Sequence, residues 1–100
     1  MRDDFRVSPS PSTVLVGDNV VLRCVPPKAV PPAVVSWTRD GSTLSLDSAK
    51  RARVDDDGNL VILNAGKEDE GRYACAATNA AAVRVAEPVR VRVLGEFRRV

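Results

Sequence analysis

Histidine is absent from this sequence. Tyrosine, tryptophan and methionine occur once each, phenylalanine twice and cysteine twice. Each scarcity removes chemistry. Ser-His-Asp and Cys-His arrangements need histidine as the base, so nucleophilic catalysis of those kinds is excluded. Two thiols without histidine are too few ligands for a zinc site. The formal net charge is only +2, too small to suggest nucleic-acid binding. No run of about 18 apolar residues exists, so this segment carries no membrane-spanning helix. No signal peptide is visible. Met1 stands directly before Arg2, Asp3 and Asp4 and reads as an expression start, on a piece cut from a longer protein. No cofactor is expected.

What is present is an ordinary globular composition, 44% hydrophobic and 28% charged over 100 residues, enough for one domain. Valine dominates the apolar set. Its β-branch favours strands over helices, and the seven prolines make long helices unfavourable. Short alternating runs separated by turn signals predict an all-β sandwich. The expected strands are 5–8, 13–16, 19–25, 34–39, 43–46, 51–54, 60–63 and 72–78, with a last one carrying Val89, Val91 and Val93. Asp40-Gly41 is a hairpin signal, and a single helical turn is expected around residues 67–70.

Cys24 and Cys75 both fall on apolar strand faces, 51 positions apart. Trp37 lies on an intervening strand. Tyr73 stands two residues before Cys75, inside Asp69-Glu70-Gly71-Arg72-Tyr73-Ala74-Cys75. Leu60 and Ile62 share one apolar face ahead of that run. The set matches the immunoglobulin fold, with its inter-sheet disulfide on a buried Trp and its tyrosine corner. The alternative is two unpaired buried thiols. A disulfide implies an oxidising compartment, hence a secreted protein or a cell-surface ectodomain. In this fold Asp69 is expected to meet an arginine across the bottom of the sandwich, either Arg51 or Arg53. The domain is placed at residues 5–95, with linkers at 1–4 and 96–100.

Two stretches go further than the fold. Arg2-Asp3-Asp4-Phe5-Arg6 resembles the segment entering the second immunoglobulin domain of roundabout (Robo) receptors. So do Pro26-Pro27-Lys28 and the run from Pro32 through Val34-Val35-Ser36-Trp37 to Asp40-Gly41. Residues 51–54 and Gly58-Asn59-Leu60 look closest to invertebrate members. The resemblance covers residues 1–95. It departs where Ala80-Ala81-Ala82 replaces a turn that usually contains glycine, where Ala29 follows Lys28, and where Val83 and Val85 replace charged residues. It implies an I-set domain of a single-pass axon-guidance receptor. Its implied partners are Slit, heparan sulphate and neighbouring immunoglobulin domains.

The arginines supply the expected binding surface. Tyr73 and Cys75 point inward, so Arg72 points out; Val91 and Val93 point inward, so Arg90 and Arg92 point out. Arg72, Arg90, Arg92 and Lys67 are expected to cluster near one pole, with Arg98 and Arg99 nearby. Such a cluster suits a sulphated glycan or an acidic partner; a merely solvated sheet face is the alternative. Exposed Val21, Val34, Val83 and Val85 suggest a homophilic contact, as in an adhesion protein. A mechanical, muscle-type I-set domain is a further alternative. Asp55-Asp56-Asp57 fails the EF-hand pattern and reads as a tight acidic turn. Glu68, Asp69 and Glu70 imply no cleft and no acid–base pair. None of the asparagines has a hydroxyl residue two positions on, so no N-glycosylation site is present.

Overall fold

The computed structural model describes residues 5, 7–44 and 52–95. Nine strands follow in chain order: β1 Ser12–Leu15, β2 Val20–Leu22, β3 Val34–Arg39, β4 Ser42–Thr43, β5 Ala52–Val54, β6 Leu60–Ile62, β7 Gly71–Thr78, β8 Val83–Val85 and β9 Val89–Leu94. One 3-10 turn, Lys67–Asp69, precedes β7. The larger sheet has the order β1-β9-β7-β3-β4, with β8 also on β7; the smaller has the order β2-β6-β5. This is an all-β immunoglobulin-like sandwich, as the alternation predicts.

The two inner faces come from period-2 patterning. On β9, Val89, Val91 and Val93 are buried while Arg90 and Arg92 are exposed. On β2, Val20 and Leu22 are buried and Val21 is exposed. Leu60 and Ile62 of β6 close the smaller sheet's inner face. These side chains form one core with Trp37, Tyr73, Cys24 and Cys75. Full burial of each large aliphatic stabilises by about 1.5–3 kcal/mol.

The first expected strand is reduced to a bridge. Val7 and Val25 exchange two backbone hydrogen bonds at the smaller sheet. Pro9 and Pro11 then interrupt the pairing, since proline has no N–H for a ladder. The chain rejoins at β1, now parallel to β9 of the larger sheet. The Asp40-Gly41 signal makes the β3–β4 hairpin, with φ of 52° and 86° at its two central residues. Both are the left-handed values that such two-residue turns need. The 43–46 strand is described only through residue 44, where β4 ends at Thr43; the rest of it, and both linkers, lie outside the described residues.

Residues 83–85 were expected as exposed valines, not as a strand. They form β8 because β7 is long enough to pair β9 at its start and β8 at its end. The preceding turn needs no glycine. Asn79 Oδ1 accepts hydrogen bonds from the Ala81 and Ala82 amides, and its Nδ2 donates to the Pro31 carbonyl. Among the described residues the positive φ angles outside glycine are those of Asp40 and Asn64, so Ala80-Ala81-Ala82 carries no left-handed penalty.

Candidate binding face and its structural support

The core constellation sets the frame. Cys24 and Cys75 form the disulfide between the sheets, with both residues fully buried. Trp37 and Cys75 are directly opposed across β3 and β7. The indole Nε1 donates to the Gly58 carbonyl at 3.0 Å. Gly58 has a φ of 95°, and a Cβ there would meet the Cys24 carbonyl and Val35 at 3.3 Å. The turn before it uses Asp55, whose Oδ1 accepts from the Asp57 and Asn59 amides. The Asn59 amide holds the Asp55 carboxyl below the usual carboxylate range. Asn59 Oδ1 in turn accepts from the Cys24 amide. The three aspartates thus make the tight acidic turn. Among the described residues no group of three or more His, Cys, Asp or Glu is placed to hold a metal ion.

At the opposite pole Tyr73 is buried, and its hydroxyl donates to the Asp69 carbonyl at 2.6 Å. Asp69 is buried too, and its Oδ2 accepts from the Gly66 amide. Arg39 was not singled out from the sequence, yet it lies at the centre of this corner. Its Nη1 donates to the Glu68 carbonyl. Its pKa is raised, first by a hydrogen bond with the Tyr73 hydroxyl and also by the charges of Asp40 and Asp69. Arg39 ends β3, and only the pairing of Arg39 with Tyr73 across β3 and β7 brings it here. Of the two arginines expected beside Asp69, Arg51 lies outside the described residues. Arg53 is exposed on β5, opposite Val61. We retain the Asp69 pair with Arg51 or Arg53 as a proposal.

Burial pushes the Tyr73 hydroxyl above its ordinary pKa, against the opposing pull of Arg39. A raised folded-state value leaves stability unchanged below about pH 10, the range of free tyrosine. Stability then falls as pH rises through the folded value, because the unfolded chain ionises first. Tyr73→Phe should lose about 1 kcal/mol at pH 7, for the hydrogen bond to Asp69. Its deficit should shrink above about pH 10. Denaturant titrations at both pH values check this. Absorbance at 295 nm follows the sole tyrosine.

The arginines fall where the alternation places them. Arg72 and Arg90 are directly opposed across β7 and β9, and Arg92 is opposite Thr13 of β1. All three are exposed on the outer face of the larger sheet. Like charges directly opposed are unfavourable by themselves. The same face of β1, β3, β7, β8 and β9 carries Thr13, Leu15, Val34, Ser36, Thr38, Ala74, Ala76, Thr78, Val83, Val85 and Leu94, and no carboxylate. Lys67 is exposed on the 3-10 turn, which packs against β9. Two carboxylates lie close by. Asp40 Oδ1 accepts from the Arg72 amide, and Glu70 Oε2 accepts from the Val93 amide. Arg98 and Arg99 lie outside the described residues. Val34, Val83 and Val85 occupy the other half of this face, in rows with Thr78 and Ala76. Val21 is exposed on the smaller sheet and does not join them.

Comparison with known proteins agrees with this geometry. Residues 4–79 match the family described as "Immunoglobulin domain". The chain is 40% identical over 93 residues to protein sax-3 of Caenorhabditis elegans, covering 93% of the chain and 7% of that protein. It is 39% identical over 94 residues to roundabout homolog 1 of Homo sapiens, covering 94% and 6%. It therefore spans less than a tenth of the length of these relatives. Among solved structures, the titin M10–obscurin-like 1 Ig complex aligns with a TM-score of 0.82 at 33% identity, covering 94% of this chain and 95% of that one. The tandem Ig repeats of Dlar align at 0.84 and 24% identity, over 90% of this chain and 46% of that one, which supports the fold alone. The chain belongs to the immunoglobulin domain family and is homologous to roundabout and sax-3 sequences over nearly its whole length.

Proposed function

We propose that this chain is the second immunoglobulin domain of a roundabout-type cell-surface receptor. In this reading it is extracellular, non-catalytic, and supports Slit and heparan sulphate recognition beside the first domain. Residues 5–95 form the domain, flanked by linkers to neighbouring immunoglobulin domains. The observation that carries the reading is the roundabout similarity over 94% of the chain. The disulfide fits an oxidising compartment. No helix among the described residues is long and apolar enough to cross a membrane.

The sulphated glycan would lie along Arg72, Arg90 and Arg92, with Lys67 at the edge. Guanidinium groups bind sulphate through paired, charge-assisted hydrogen bonds, and the interaction weakens as salt screens it. Arg90→Ala plus Arg92→Ala should therefore elute from a heparin column at clearly lower salt than the wild type. Unchanged elution removes these residues from the proposal. The Slit part is tested by surface binding of Slit to this domain, alone and joined to its N-terminal neighbour; if neither binds, the receptor assignment falls.

A second reading, homophilic adhesion, is favoured by one observation. Val34, Val83 and Val85 are each at least 61% exposed and lie together on one face of the larger sheet. Sedimentation at rising concentration separates the two, since a strict monomer counts against adhesion of this kind.

A further inference from the structure

The ladder between β7 and β9 stops before Arg92. Its last pair is Gly71 with Val91, where β7 begins. β9 runs on through Arg92 and Val93 to Leu94, with β1 alongside. Continued in the same register, the ladder would set Val93 opposite residue 69. Asp69 belongs to the 3-10 turn, and its backbone is engaged there. Its amide donates to the Gly66 carbonyl, and its carbonyl accepts from the Tyr73 hydroxyl. The tyrosine corner therefore cuts the ladder at the point where β9 still carries an outward arginine.

One side chain fills the gap. Glu70 Oε2 accepts from the Val93 amide at 2.8 Å, in a part-buried position. An amide left without an acceptor at such a site is costly, and a charged acceptor makes a stronger bond than a neutral carbonyl. Val93 is fully buried, while Arg92 before it is exposed on the outer face. The nitrogen that Glu70 holds belongs to the peptide joining these two residues. Holding it fixes the stretch of strand from which Arg92 projects, two residues from Arg90 on the same face. On the other side Arg92 is opposite Thr13 of β1, and β1 is the outermost strand of this sheet.

We infer that Glu70 is a positioning residue for the arginine face: its carboxylate takes the place of a ladder carbonyl opposite Val93 and holds Arg92 in line with Arg90 and Arg72. The consequence for ligand binding rests on the sulphated-glycan reading of that face. The same carboxylate sets a negative charge beside the face, so it works against a polyanion while it aligns the residues that bind one. Charge and reach thus act in opposite directions and can be separated.

The test uses two pairs of equal charge in the labelled domain: wild type with Glu70→Asp, and Glu70→Gln with Glu70→Ala. The second member of each pair is the shorter side chain. Hydrogen exchange at the Val93 amide, read by NMR, should be about tenfold faster in the shorter member, the equivalent of one hydrogen bond. On a heparin column the shorter member should elute at lower salt. Glu70→Gln keeps an acceptor oxygen and removes a charge, so it should elute after the wild type. Should Glu70→Ala fail to fold, the pair of wild type and Glu70→Asp decides. Equal Val93 exchange within the pairs overturns the inference. A merely structural bond would change exchange but not elution. The positioning role therefore also falls if Arg90→Ala plus Arg92→Ala shifts elution while each pair elutes together. If that double variant elutes with the wild type, the glycan reading falls instead, and Val93 exchange still decides whether Glu70 holds this strand.

Discussion

Replacing Cys24 and Cys75 together by alanine should lower the unfolding free energy by about 4 kcal/mol. The figure comes from the loop the bridge closes, 51 residues of sequence, through the chain-entropy relation. The loss acts mostly on the unfolded state, which gains conformations once the crosslink is gone. A domain of this size has a total stability of about 5–15 kcal/mol, so the variant would keep little of it. Both cysteines are fully buried within the core. The small cavities left by two sulfurs add to the deficit rather than offset it. Urea titration of the variant and of the oxidised wild type measures the difference. Thiol titration of the native wild type should find no free thiol. A difference below about 1 kcal/mol would mean that the bridge does not restrain the unfolded chain as the relation requires.

Trp37→Ala should cost about 3–5 kcal/mol, the range for removing a large buried aromatic. Two effects contribute, and their sizes can be separated. Trp37 is only 3% exposed and packs among Cys24, Cys75 and the facing strands. Truncation leaves a void beside the disulfide. It also strips the Gly58 carbonyl of its indole donor. An unsatisfied buried carbonyl costs about 1–3 kcal/mol. Trp37→Phe keeps most of the volume and loses the donor, so it should fall between wild type and Trp37→Ala. If the two variants were equally unstable, the hydrogen bond rather than packing would dominate. That outcome would shift the weight of the site to the turn of Asp55, Gly58 and Asn59.

Part of the candidate face was legible because alternation is local. Once Tyr73, Cys75, Val91 and Val93 were placed inward, Arg72, Arg90 and Arg92 had to point out, since successive side chains in a strand take opposite faces. Lys67 was placed by a shorter argument, its position in the turn before β7. The four valines read as exposed are all exposed, but on two different sheets. Val34, Val83 and Val85 share a face, but Val21 belongs to the smaller sheet. Periodicity tells inside from outside within one strand. It does not say which of two sheets the strand joins.

Arg39 and β8 were missed for a related reason. Arg39 is an unremarkable charge at a strand end until β3 pairs with β7 and brings it to Tyr73. Residues 83–85 show only two separated valines, and their strand exists because β7 extends far enough to pair them. Neither signal lies within a window of neighbouring residues.

By itself the sequence determined an all-β chain, an inward set of Cys24, Trp37, Leu60, Ile62, Tyr73 and Cys75, and three outward arginines. These follow from residue shape and a period of two, which act over a few residues. The scarcity of aromatic and sulfur side chains also acquired its meaning there, since both cysteines, the single tryptophan and the single tyrosine belong to one packed centre. Only the tertiary structure decided that Arg72 faces Arg90, that Arg39 supports the tyrosine corner, and that β8 pairs the end of β7. Those depend on register between strands far apart in the chain, set by the joint burial of many side chains and by no single segment.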